Sequence, residues 1–370
     1  MTSPLPSWFR SRAVDHLALA LGTTKGLFFV SDGAVDGPFF PGDRVPAFAQ
    51  VQDRLLAATN DFAVGPNVRV SDDGGLTWQD AGAHPIAFPS DADTAVTSVW
   101  QLHVDRRPKA AGTVWAGVEP AALFRSDDRG ETFELVPGIF EHPDRPNWIP
   151  SPSGLSLHTV VTHPERPDRV LVAISAGGVY RSDDDGRTWE ARNEGIEPAP
   201  DEEESAEALP CVHKLAVDAT DPDVIWAQTH WGVFRTDNAG DQWRQVGRAG
   251  TEGGLPSDFG FSILAHPSLT GTAYVLPLES EMYRCTAQGR CRVYRTTDGG
   301  ESWEALSEGL PGTNVHVTVL RDAFDIGEDG PHALAFGSSS GHVFGSLDTG
   351  ETWRLVTSYL PPILCLRVLD

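Results

Sequence analysis

Short apolar runs, each closed by glycine, proline or acidic turn residues, follow one another along the chain. Leu157-His-Thr-Val-Val161 is followed by Val170-Leu-Val-Ala-Ile174 and then by Val179-Tyr-Arg181. The triplet returns as Val212-His-Lys-Leu-Ala-Val217, Val224-Ile-Trp-Ala227 and Val233-Phe-Arg235. Such runs are rich in β-branched and aromatic residues and are bounded by His-Pro or Asp-Pro turns, the pattern of short strands. No segment sustains a helical period, so the pattern predicts an all-β protein.

The third run of each set leads into an eight-residue box, Ser/Thr-x-Asp/Asn-x-Gly-x-polar-aromatic. Six copies occupy 71–78, 126–133, 182–189, 236–243, 296–303 and 346–353. Their third positions, Asp73, Asp128, Asp184, Asn238, Asp298 and Asp348, recur every 50 to 60 residues. That period suits one four-stranded blade of a β-propeller. In each box the carboxylate or amide can accept N–H bonds of its own turn. The fifth-position glycine permits a positive φ, and the aromatic ring can bury itself between neighbouring sheets. The ligand density is too low for calcium loops.

A seventh blade is predicted from the two ends of the chain. Leu17–Leu21 and Leu27–Val30 read as two strands running into a decayed box at Ser31-Asp-Gly33, and Ile363–Val368 is an orphan strand after Pro361-Pro362. Pairing the orphan with Leu17–Leu21 closes the ring and leaves no sheet edge. The expectation is one seven-bladed propeller domain over residues 1–370. A chain of this length exceeds the roughly 250–300 residues of one ordinary core, but repeats that share small cores escape that limit.

Charge narrows the partners. Against 28 basic residues stand 52 acidic ones, a net of −24. Such a surface repels phosphate backbones and anionic lipids, so neither nucleic acid nor a membrane is expected. No run is long enough to span a bilayer. Met1–Arg12 lacks the apolar segment of a secretion signal, which makes a cytoplasmic location the expectation. Four cysteines make no disulfide framework. Cys211 and Cys365 read as buried thiols. Cys285 and Cys291 flank a loop and read as reduced, at a spacing that would still allow a bridge. Asp201–Glu204, with Glu197 and Glu207, reads as a solvated acidic insertion or a dock for a basic partner.

The boxes resemble the BNR/Asp-box repeats of sialidases, sortilin-type receptors, xyloglucan-degrading hydrolases and a photosystem assembly factor. With Gly22-Thr-Thr-Lys-Gly-Leu-Phe28 and Ala176-Gly-Gly-Val-Tyr-Arg-Ser182, the whole chain is similar to bacterial propellers labelled exo-alpha-sialidase. The resemblance implies fold far more than function, because one scaffold carries enzymes, receptors and assembly factors. It also implies that ligands sit away from the boxes. They would lie on the loops joining second to third strands and on the segments that lead into each inner strand.

Those loops supply the candidate residues. Asp61, Glu119, Asp258 and Glu279 are the carboxylates that could act as an acid/base or nucleophile pair in glycoside hydrolysis, which needs two carboxyls about 5–9 Å apart. Lys25, Asn60, Trp100, Gln101, His158, His213, Lys214, His230, Trp231 and His316 are candidate ligand-binding residues. His158 and His213 occupy matching positions in successive inner strands, with His103 and His316 similarly placed. Trp148 is a further candidate for stacking on a sugar or packing between blades. The Cys285–Cys291 insertion is placed to act as a lid. The arginines before the boxes, 125, 181, 235 and 295, read as structural. A sialidase's arginine clamp and tyrosine nucleophile cannot be assembled from these residues, so sialidase activity is not expected. No metal and no cofactor is expected. The residues favour a recognition scaffold with a polar site at the tunnel, binding a small polar ligand, a carbohydrate or a protein partner. The alternative is a glycoside hydrolase that uses two tunnel-face carboxylates.

Overall fold

The apolar runs become strands, and the strands form seven antiparallel four-stranded sheets. The computed structural model describes residues 17–31, 33–82, 86–148, 154–196, 209–328 and 332–369. Met1–Arg12, Asp32 of the decayed box and the acidic insertion at 197–208 lie outside the described residues.

The first blade holds β1 (Ala18–Thr23), β2 (Gly26–Ser31) and β3 (Ala34–Phe39), and the second β4 (Arg44–Val51), β5 (Arg54–Asp61), β6 (Gly65–Ser71) and β7 (Gln79–Asp80). The third comprises β8 (Ser98–Val104), β9 (Val114–Glu119), β10 (Ala122–Ser126) and β11 (Glu134–Leu135). The fourth comprises β12 (Leu157–Thr162), β13 (Val170–Ile174), β14 (Gly178–Ser182) and β15 (Glu190–Ala191). The fifth comprises β16 (Val212–Val217), β17 (Ile225–Thr229), β18 (Gly232–Thr236) and β19 (Arg244–Val246). The sixth comprises β20 (Gly260–Ala265), β21 (Ala273–Pro277), β22 (Val293–Thr296) and β23 (Glu304–Leu306). The seventh comprises β24 (Phe324–Ile326), β25 (Leu334–Gly337), β26 (Val343–Ser346) and β27 (Arg354–Thr357). The last strand, β28 (Ile363–Val368), pairs antiparallel with β1, Leu21 opposite Leu366. It is the inner strand of the first blade.

The core lies between blades. Strands β13, β17 and β21 are buried along their whole length. Trp303, the aromatic of the fifth box, packs edge-on against Trp226 of the preceding blade at 6.4 Å. Each such ring removes a large apolar area from water.

The boxes are built as the residue types require. In the third, Ser182 Oγ donates to Asp184 Oδ1 at 2.8 Å and accepts from Gly186 N at 2.8 Å. Asp184 also accepts from Thr188 N and Thr188 Oγ1. The fifth-position glycine is left-handed, with φ 90° at Gly186. The fourth position is left-handed too, including Arg129, Asp185, Ala239 and Thr349. The arginines before the boxes latch consecutive blades. Arg125 reaches Asp185 at 2.7 Å, Arg181 reaches Asp241 at 2.7 Å, and Arg295 reaches Glu351 at 2.7 Å.

One inner strand departs from the expected place. Asn314 and His316 do not lead into the inner strand of the seventh blade, which is the short β24 further along. The run 315–318 docks instead on the long loop of the sixth blade, where Val315 N donates to Gly289 O and Thr286 N to Val317 O. That loop offers an unpaired edge and draws the run away from its own sheet.

Candidate functional site

Antiparallel alternation gives the propeller two ends. Inner strands begin at the upper end, and second-to-third strand turns lie there as well. Inner strands finish at the lower end, where the boxes lie. The boxes bond to the first-to-second strand turns of their own blades, for example Asp185 N to Asp168 O and Ala239 N to Asp223 O.

A cavity of about 820 Å³ lies on the axis and opens at the lower end. Gln101, His103, Lys214, Asp218, Asp325 and Arg367 are among its lining residues. This cavity opens at the end where the boxes lie, opposite the loops expected to hold the ligand. The boxes hang on outer strands and none of their residues lines the cavity. Of the nominated residues, Gln101 and Lys214 reach it. Lys214 is committed to a buried ion network, pairing through Nζ with Asp322, which Arg367 also approaches at 3.3 Å. Burial raises the Asp325 carboxyl above its ordinary range, against the charge of Arg367.

Above this network, buried and half-buried aromatic, histidine and arginine side chains gather near the axis. Six inner strands carry a register shift near their upper ends, and Trp100, His158 and His213 are the residues skipped by the pairing in β8, β12 and β16. A bulge re-aims a side chain, which is how a strand residue leaves its sheet for the tunnel. The Arg321 guanidinium lies 5.2 Å from the Trp100 ring and 5.0 Å from Phe261, and Arg284 lies 5.5 Å from Phe261. Cation–π contacts of this kind contribute about 0.5–2 kcal/mol each. His158 is fully buried, and neither ring nitrogen has a hydrogen-bond partner. Burial, then the charge of Arg321, pushes it well below the usual histidine range.

Glu119 stands beside this cluster. Its Oε2 accepts from Trp100 Nε1 at 2.8 Å and from Ser156 Oγ at 3.1 Å. Gly154, at φ 96°, makes room for the carboxylate. A Cβ there would sit 2.2 Å from Oε1. Asn60 ties the neighbouring blade to the same rim, donating to Thr97 O at 2.8 Å, while Thr97 N donates to Glu119 O at 2.7 Å.

The other nominated carboxylates are engaged by backbone donors. Asp61 accepts from Val64 N and Ala63 N at 2.8 and 2.7 Å, which holds it below the usual carboxylate range. Asp258 accepts from Ala249 N at 2.9 Å and Glu279 from Gln288 N at 2.7 Å. Sequence reasoning missed Asp43, which faces Asp61. Burial, then the charge of Asp61, raises its pKa. Two carboxyls that oppose each other this way cannot both ionise freely.

Across the rim, His230 Nε2 lies 2.9 Å from Glu281. His230 stacks on Trp231 at 5.7 Å and meets His213 at 4.9 Å. Tyr283 and His316 pair at 3.0 Å on the exposed loop, and Lys25 is exposed in its turn. Trp148 is buried and donates to Tyr180 OH at 2.8 Å, so it packs between blades and lies outside the site. His103 bonds Thr162 at 3.1 Å at the lower end rather than the upper. Cys211 is half-buried just ahead of β16, less enclosed than expected, while Cys365 is buried. Cys285 and Cys291 are not bridged. Among the described residues, Cys211, His213 and His230 bring three ligand atoms within 4.8 Å of one another.

Large exposed apolar side chains are concentrated at the upper end: Phe62, Val64, Met282, Tyr283 and Tyr359. Leu76 and Leu269 lie at the lower end, and Val35 and Leu355 on outer strands.

No family model matches the chain. A xyloglucanase of a Paenibacillus species is 24% identical over 271 residues, 65% of this chain and 25% of that protein. A xyloglucanase of Acetivibrio thermocellus is 24% identical over 248 residues, 58% of this chain and 27% of that protein. The crystal structure of the GH74 xyloglucanase from Xanthomonas campestris superposes with a TM-score of 0.62 at 17% identity, covering 93% of this chain and 53% of that one. The chain thus spans about a quarter of the length of the curated relatives it matches.

Proposed function

We propose that this propeller is a carbohydrate-active protein of the glycoside hydrolase kind that takes a glucan chain across its upper face. The observation that carries the reading is that the upper end bears exposed aromatic and apolar side chains together with the Glu119–Trp100 pair and Trp231. Sugar rings present apolar C–H faces that stack on such groups, while their hydroxyls need convergent polar partners. Sequence similarity to xyloglucanases supports the substrate class. In this reading Glu119 is one reacting carboxylate, held by Trp100 and Ser156. Asp43, whose pKa is raised by burial and then by the charge of Asp61, is the candidate acid. The hydrogen bonds within each box support treating the chain as an Asp-box propeller.

The test is a panel of polysaccharides including xyloglucan, assayed for release of reducing ends. Glu119→Gln and Asp43→Asn are expected to lose cleavage by about 100-fold or more. Asp258→Asn and Glu279→Gln are expected to stay near wild type. Absence of both binding and cleavage on every glycan would overturn the reading. A second reading, recognition without turnover, is favoured by the engagement of Asp61, Asp258 and Glu279 with loop N–H groups. Saccharide binding with no release of reducing ends would select it, and so would a protein partner seated on the same face.

A further inference from the structure

We propose that Cys211, His213, His230 and Glu281 form a transition-metal site of the zinc class on the fifth blade. Three of the donors come from one rigid unit. Cys211 immediately precedes β16, His213 is the bulged residue of β16, and His230 sits in the turn between β17 and β18. The backbone fixes their spacing, because His230 N donates to Cys211 O at 3.0 Å. Ligand atoms within 4.8 Å of one another need only a small closure to surround one ion. Glu281, from the sixth blade, stands 2.9 Å from His230 Nε2, outside the group of three, and would swing inward to supply a fourth donor.

The chemistry of the set selects the metal. One thiolate, two imidazoles and one carboxylate suit a tetrahedral zinc-type ion, whereas magnesium and calcium take oxygen donors. His213 is oriented as metal-ligating histidines are. Its Nδ1 donates to Gly260 O at 2.6 Å, which leaves Nε2 as the lone-pair nitrogen. Arg284 and Arg321 stand nearby and oppose a bare dication. The thiolate and carboxylate cancel the ion's charge and offset that repulsion. A bound ion would join the fifth and sixth blades at the rim, beside Trp231.

The test is cobalt titration of the chelator-treated full chain, followed by absorbance. The expected result is a thiolate-to-cobalt charge-transfer band that saturates at about one ion per chain and is displaced by zinc. Cys211→Ser should abolish the band, and His230→Ala should weaken affinity by at least about 10–100-fold. Cys285→Ser should leave both unchanged. Zinc should raise the melting temperature of wild type but not of His230→Ala, whose fold is checked by circular dichroism without metal. No band in the folded wild type, or a band that survives Cys211→Ser, would overturn the assignment. Saccharide binding measured in chelator is independent of this outcome, so the two readings can fail separately.

Discussion

Trp100 Nε1 donates to Glu119 Oε2 at 2.8 Å, joining a bulged inner-strand residue to the carboxylate at the tip of the next strand in the same blade. The bulge at Trp100 makes this possible, since a regular strand would leave the indole within its own sheet face. Trp100→Phe keeps a ring for Arg321 but removes the donor. A hydrogen bond to a charged group contributes about 1.5–3 kcal/mol. The melting temperature should therefore fall, and saccharide affinity, measured by calorimetry, should fall by about tenfold or more as Glu119 loses its anchor.

Asp298 tests the boxes. It accepts from Ser302 Oγ, Ser302 N and Thr296 Oγ1. Those donors lower its pKa to about 2. An unfolded aspartate titrates near 3.9, so this stabilisation is complete above a pH of about 4 and is lost as the pH falls towards 2. Asp298→Ala should cost about 1 kcal/mol at neutral pH, and the gap to wild type should close in acid melts.

Lys214 and Asp322 form a buried pair with side chains 10% and 7% exposed. Breaking such a pair leaves an uncompensated charge and costs about 3–5 kcal/mol. Arg367 still approaches Asp322, which places the loss for Lys214→Met toward the lower figure. Denaturant titration should show the shifted midpoint.

Asp43 behaves in the opposite sense to Asp298. Its pKa is raised in the folded protein, so the folded state holds its proton more tightly than the unfolded chain does. Its favourable contribution is present below a pH of about 4 and disappears as the pH rises through the elevated value, leaving a penalty at neutral pH. Asp43→Asn should raise the melting temperature slightly at pH 7 and leave it unchanged in acid.

The architecture was legible because each box repeats a local hydrogen-bonding solution that depends on residue identity. Ser182, Asp184 and Gly186 can be read one by one. The site was less legible because it depends on which residue is skipped in a pairing. His158 and His213 carried the signal of matching positions in successive inner strands and Trp100 that of an inner-strand entry, yet nothing in their neighbours marks a bulge. His316 misled for a different reason. Its run is β-rich, but the open edge of the long loop at 279–291 captures it, a tertiary preference that no local pattern encodes. Asp43 was missed because its perturbation comes from burial in the folded rim and then from Asp61, eighteen residues away in the sequence. Cys211-x-His213 was visible as spacing, but its partner His230 becomes a neighbour only through the turn that returns it to Cys211 O.

The proposed saccharide site could lie at either end of the axis, so the decisive measurement is calorimetric titration of a xyloglucan oligosaccharide against variants at each end. Trp231→Ala and Phe62→Ala alter the upper face, and Arg106→Ala breaks the exposed Arg106–Glu328 pair at the lower opening. The account predicts that the upper-face variants weaken binding by about tenfold or more while Arg106→Ala binds as wild type does. Loss of binding in Arg106→Ala with Trp231→Ala and Phe62→Ala unaffected would contradict it, and would move the site to the 820 Å³ cavity.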